Sequence, residues 1–437
     1  MRGSRHLLRG GLACAAAAGF VFLAGVVFNA ARADVSPGSA DKARKYFREL
    51  SGTIGFSSPD GIFNTTLDDV AAYLGYDGLT GADMQNLPSD VLMEPAQLLE
   101  QAKNRDKLAA TLGGKLKPDD ILVSRFFAPK IVNIHDPPAT RKLGWRKMVR
   151  LKARAGSPAD KHDIVLGIVL FNIFTDPGQK PFESGQESVN TQVILSVEPS
   201  KAKLKTDDVT LYWLDYDKLS AGNKLSLALN ASFDANELSG ATQDYFVPDG
   251  CVACHGANLD RSMLNYLDTD HWFDRLDNDF QDLKKAGIPI LFDAGTNDFN
   301  SAAYKKAFDV IRRFNEEADK QAENAQPKHD EVAASRKWLE LHKSSDAHFP
   351  PIERAIGPPP QWSAGNANEV QLLGILNQYC FRCHGSVKFS VFSRQSVQNR
   401  RVVIKQRIDP NAPLGVRMPT DRPLPPDLLD FVRANLP

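Results

Sequence analysis

The pentapeptide C-x-x-C-H occurs twice in this chain, as Cys251-Val252-Ala253-Cys254-His255 and as Cys380-Phe381-Arg382-Cys383-His384. Each places two thiols three positions apart and an imidazole directly after the second. Chance is a poor source of two such matches in 437 residues holding 5 Cys and 9 His. Every cysteine except Cys14 belongs to one of the two motifs. The fold must therefore present two separate sets of thiol, thiol and imidazole to a binding partner of one chemical kind.

A C-x-x-C-H motif attaches haem: its thiols add across two vinyl groups, and its histidine binds the iron. Two other readings compete. Zinc sites usually space their C-x-x-C pairs by about 15–20 residues, whereas 125 residues lie between Cys254 and Cys380. Two disulfides would suit an exported chain. Neither explains a histidine after both pairs. The expectation is two covalently bound haem c groups, one on Cys251 and Cys254 and one on Cys380 and Cys383. His255 and His384 would be their iron ligands.

The N-terminus bears on the compartment. Arg2, Arg5 and Arg9 precede an uncharged apolar run from Gly11 to Phe28, and Ala31-Arg32-Ala33 offers a cleavage site before Asp34. This resembles a bacterial secretory signal peptide spanning residues 1–33, cleaved after Ala33 to leave a periplasmic protein. An uncleaved anchor is the alternative, because the run approaches a membrane-spanning length. No other segment is apolar enough to span, so no stable membrane span is expected after cleavage. Without residues 1–33 the chain holds 49 basic and 53 acidic residues. That balance gives no hint of nucleic-acid binding, which would want a clustered basic surface.

The predicted fold class is α+β: a mixed N-terminal part with a β-sandwich-like domain, then mainly helical haem modules. Residues 34–247 form the first region, 248–348 the first haem-binding region, 349–365 a proline-rich linker and 366–437 the last domain. Helices are predicted over Ala40 to Leu50 and Pro95 to Leu112. From Ile121 the pattern turns to strands: Ile164 to Phe174, Val193 to Val197, Val209 to Leu214, and the alternation of Leu225, Leu227 and Leu229. Pro248-Asp249-Gly250 predicts a turn before the first motif. Tyr304, Phe308, Ile311 and Phe314 recur at helical spacing, and 315–346 reads as a charged, solvated helix. Asp268, Asp270, Asp274, Asp277 and Asp279 lack calcium-loop spacing and read as a solvated face.

From Asn366, Val370, Leu373, Leu376 and Tyr379 form an amphipathic stripe leading into Cys380, Arg417-Met418-Pro419 follows a loop-rich stretch, and Leu428 to Leu436 reads as a closing helix. In this layout the region resembles a class I cytochrome c domain. Beyond His384 there is no His, no Cys and no Met other than Met418. Met418 is therefore the expected sixth ligand of the second haem, and His/Met ligation raises the reduction potential. For the first haem the candidates are Met263, His271, His329, His342 and His348. His271 is favoured, because Asp270 can orient its imidazole while Trp272 and Phe273 pack on the porphyrin.

The chain as a whole resembles bacterial di-haem c-type cytochromes. That resemblance implies electron transfer between redox partners, such as a redox protein or a respiratory-chain component. The alternative is a di-haem peroxidase-like enzyme, or another haem oxidoreductase, with an open first haem. No catalytic motif is legible.

Overall fold

The computed structural model describes residues 38–87, 120–127, 143–175, 190–198, 210–218, 225–231, 245–255, 264, 313–321, 362–363, 366–384, 389–412, 418 and 424–437. The expected signal peptide 1–33, the helix expected at Pro95 to Leu112, most of the expected linker 349–365 and the aspartate cluster 268–279 lie outside these residues. So do Met263, His271, His329, His342 and His348, and Tyr304, Phe308 and Ile311.

Helix α1 (Ala40–Ile54) is capped by Ser39, whose hydroxyl accepts from the Lys42 N–H, and stops at Gly55 with φ 65°. Its buried stripe of Ala43, Tyr46, Phe47, Leu50 and Ile54 follows the helical period. Helices α2 (Leu67–Tyr73) and α3 (Gly81–Asn86) follow, each started by a Thr–Asp capping box.

Five long strands then pair in sequence order: β1 (Ile121–Phe127), β2 (Leu143–Lys152), β3 (Ile164–Thr175), β4 (Asn190–Val197) and β5 (Leu211–Lys218). The one-turn helix α4 (Pro158–Lys161) joins β2 to β3, and a three-residue strand, β6 (Leu225–Leu227), closes the sheet. All neighbours are antiparallel. A separate ribbon pairs β7 (Asn230–Ala231) with β8 (Tyr245–Phe246). The fold is α+β, as expected. Where the strand pattern suggests a sandwich, the described residues instead form one main sheet with helices against both faces.

Register shows which helices meet which face. One row crosses the sheet as Val123, Val149, Val169, Val193 and Leu214. This face meets the N-terminal helices: a Cβ on Gly167 would lie 2.6 Å from Leu74 Cδ1, and Lys147 Nζ donates to the Gln85 carbonyl in α3. The opposite row runs Leu122, Arg150, Ile168, Ile194 and Trp213. It meets later parts of the chain. Arg150, 2% exposed, pairs with Glu317 at 3.1 Å, and Trp213 lies against His255. Val149, Val169, Phe171, Val193 and Leu195 are fully buried on the first face, each worth about 1.5–3 kcal/mol, and Leu122, Ile168 and Ile194 are buried on the opposite one.

Two sequence expectations are corrected here. The turn before the first motif falls at Val247 and Pro248, and Asp249 and Gly250 open helix α5 (Asp249–His255). The Pro248 carbonyl accepts from the N–H groups of Cys251 and Val252, so the turn leads directly into the helix. From residue 315, where a solvated helix is expected, Asn315, Ala318 and Gln321 are instead buried, while the burial of Phe314 agrees with its place in the helically spaced apolar stripe.

In the last region α6 (Ala367–His384) buries Leu372, Leu373, Ile375 and Leu376, while Val370 and Tyr379 are half-buried. It packs on the closing helix α8 (Pro426–Asn435). Between them, where the sequence suggests a loop-rich stretch, stands α7 (Arg394–Arg407), started by the Ser393 hydroxyl. Few apolar residues mark its inner side: Val397, Ile404 and, just past its end, Ile408.

The strand edge at Trp213 is closed by a phenol. Strand β6 pairs with Tyr216, Asp217 and Lys218, and further along β5 the Tyr46 hydroxyl accepts from the Trp213 N–H (2.8 Å) and donates to its carbonyl (3.1 Å). Replacing Tyr46 with Phe strands two buried backbone groups, at about 1–3 kcal/mol. Urea unfolding of Tyr46→Phe should show a lower midpoint with an unchanged slope. An unchanged midpoint would mean that water replaces the phenol at no cost.

Candidate haem-attachment sites

Cys251 is the third residue of α5 and is 4% exposed. Cys254 follows one helical turn further on, and His255 ends the helix. The half-buried His255 imidazole packs on the Trp213 indole, with ring centroids 4.5 Å apart and planes at 49°. Val247, Val252 and Leu264 add buried apolar surface near the motif in sequence. The Leu264 N–H donates to Gln321 Oε1 at 2.7 Å. That bond ties the chain after the motif to the stretch whose Glu317 pairs with Arg150 of the sheet.

Electrostatics around α5 follow from burial. Burial pushes the Tyr46 phenol well above its usual range, opposed by its hydrogen bond with Trp213 and reinforced by the nearby Cys251. Burial likewise raises the Asp249 carboxyl, with Lys42 acting against it. Asp249 packs on the start of α1: Gly38 has φ 70°, and a Cβ there would approach Asp249 Oδ2 to 2.6 Å. Glycine is the residue that suits both the left-handed backbone and the close approach.

The second motif occupies the last turns of α6, where Cys380 is half-buried. Cys383 and His384 end the same helix. Met418 is half-buried, and its N–H donates to the Arg407 carbonyl at 2.7 Å, which fixes its backbone to the end of α7. The first turn of α6 is held by Glu369, which accepts from the Ser363 N–H (2.9 Å) and pairs with Arg394 Nη2 (2.9 Å). Nearby, Trp362 Nε1 donates to the Phe392 carbonyl at 3.2 Å. These bonds fasten the end of the linker to both α6 and α7.

Both motifs thus stand on helices. Two cysteines one helical turn apart, followed by a histidine, suit thioether attachment of a haem. Val247 just before the first motif, Val252 within it, and Leu376 in the motif helix α6 are buried apolar side chains. Among the described residues no three His, Cys, Asp or Glu side chains are arranged to hold a metal ion. Among them, too, no helix is long and apolar enough to cross a membrane. Trp213 and Tyr46 carry no local sequence signature; only tertiary packing brings them to the first motif. Comparison with protein families, characterised proteins and solved structures finds no match to this chain.

The Ser363 N–H bond, with Arg394 assisting and partial burial opposing, holds the Glu369 carboxyl below its ordinary range. A depressed carboxylate stabilises the fold above the unfolded value, about pH 4.3, and that contribution is lost as pH falls through the folded value. Glu369→Gln should therefore lower stability by about 1 kcal/mol at neutral pH, solvent screening keeping the figure small. Urea titrations at neutral pH and in acid check this, because the gap between variant and wild type should narrow as the pH falls.

Proposed function

We propose that this protein is an exported di-haem c-type cytochrome that passes electrons between redox partners. The observation that carries the reading is the repeated C-x-x-C-H, one copy on helix α5 and the other on helix α6. Cys251 and Cys254 would bind one haem and Cys380 and Cys383 the other. His255 and His384 would be the axial imidazoles, Met418 the sixth ligand of the second iron and His271 that of the first. Bound haem supplies the one-electron chemistry, and the protein sets ligation, exposure and docking.

The arginine-rich start and apolar run of residues 1–33 support export to the periplasm, where such motifs acquire haem. The packing of α6 on α8, with Met418 tied to the end of α7, supports the class I cytochrome c layout for 366–437. Helix α7 supports a protein partner. It carries Arg394, Arg400, Arg401, Lys405 and Arg407 and no acidic residue. Val402, 61% exposed, and Val403 sit among these cations on its outer side. An apolar pair ringed by positive charge suits a redox protein with an acidic docking face.

Ferric spectra of the purified protein test the assignment. Two low-spin haems and the weak near-infrared band of methionine–iron bonding are expected in the wild type. Met418→Ala should abolish that band and let the second haem bind cyanide, leaving the first unchanged. Survival of the band in the variant would overturn the ligand assignment. A high-spin first haem that turns over peroxide would transfer the protein to the peroxidase-like class.

A further inference from the structure

The sheet face that carries Trp213 is tied to the first motif on both sides. Trp213 stands at one end of the row Leu122, Arg150, Ile168, Ile194 and Trp213, with its ring on the His255 imidazole. Arg150, in the same row, pairs with Glu317, and Gln321 of that helical stretch accepts from the Leu264 N–H. The motif helix and the chain beyond it are thus anchored to one face of one sheet.

We infer that this sheet face forms a wall of the first haem site, and that Trp213 is the positioning residue that fixes the plane of the axial His255 imidazole. The inference rests on the haem reading above. Rotation of an imidazole about its Cβ–Cγ bond is soft, with broad minima. A ring contact at 4.5 Å and 49° adds a preference for one tilt beyond what buried area alone supplies, and so selects one orientation.

Trp213 can impose that orientation because it is held by burial and by two backbone hydrogen bonds. It is 3% exposed, and the Tyr46 hydroxyl grips both its N–H and its carbonyl. Tyr46 is itself buried in α1 and packs on Phe47 with ring centroids 5.3 Å apart. The indole N–H has no hydrogen-bond partner among the described residues, so ring packing and the strand edge, not a side-chain hydrogen bond, hold the residue. An imidazole held this way keeps a fixed direction relative to the iron orbitals, and the electronic spectrum of the ferric iron reports that direction.

Two substitutions separate the ring from its bulk. Trp213→Phe keeps an aromatic ring, while Trp213→Leu keeps apolar bulk and removes the ring. Both variants of the full-length holoprotein are compared with wild type by intact mass, far-ultraviolet circular dichroism and electron paramagnetic resonance. Two covalent haems and wild-type circular dichroism are expected in each. The Leu variant should shift and broaden the g-values of one ferric haem while the Met418 near-infrared band stays unchanged. The Phe variant should restore wild-type g-values. Two haems with g-values unmoved in the Leu variant would make Trp213 an ordinary core residue and overturn the inference. Equal shifts in both variants would mean general loosening of the core, and would overturn it too. A wild-type protein without haem would instead overturn the haem reading on which it rests.

Discussion

The Tyr46 hydroxyl, bonded to both backbone groups of Trp213, connects the parts of this structure that sequence separates. It joins residues 167 positions apart and completes the edge of β5 beyond the part that β6 pairs. A buried N–H and C=O left open there would each carry the cost of an unmade hydrogen bond. With the edge closed, Trp213 holds a fixed position on the sheet, and α5 packs its terminal histidine against it. The start of α1 also meets α5 directly, through the close approach of Gly38 to Asp249. One N-terminal helix thus supports both the strand and the motif helix.

Covering the sheet on both faces has a second consequence. Long cationic side chains on β2 that are buried there need a partner from another element. Lys147 finds the Gln85 carbonyl on one face, and Arg150 finds Glu317 on the other. Removing one member of so buried a pair typically costs about 3–5 kcal/mol, because the remaining charge is left desolvated. These contacts make the sheet and the stretch 313–321 depend on each other. The N-terminal region is therefore more than a spacer ahead of the first motif.

Strands β3, β4 and β5 are legible in the sequence because sheets covered on both faces select continuous apolar runs, and these three have them. Strand β2 is not, since Arg146, Lys147, Arg150 and Lys152 make it read as a charged segment until their partners are known. Helix α7 escapes for a related reason: its inner side shows only Val397 and Ile404 among polar and basic residues. At the candidate sites, the cysteines and histidines stand out because C-x-x-C-H is a local pattern. Trp213 reads locally as one more strand aromatic. Its contact with His255 follows from strand register and from Tyr46, which no short window of sequence contains.

If each C-x-x-C-H helix carries its own covalent haem, the protein's mass must say so. The decisive measurement is the intact mass of the protein secreted from a host with haem-attachment machinery. The expected value is that of the chain beginning at Asp34 plus two haems, falling by one haem when Cys251 and Cys254 are both replaced by Ala. A mature chain carrying no added haem, with both thiol pairs intact, would refute the assignment.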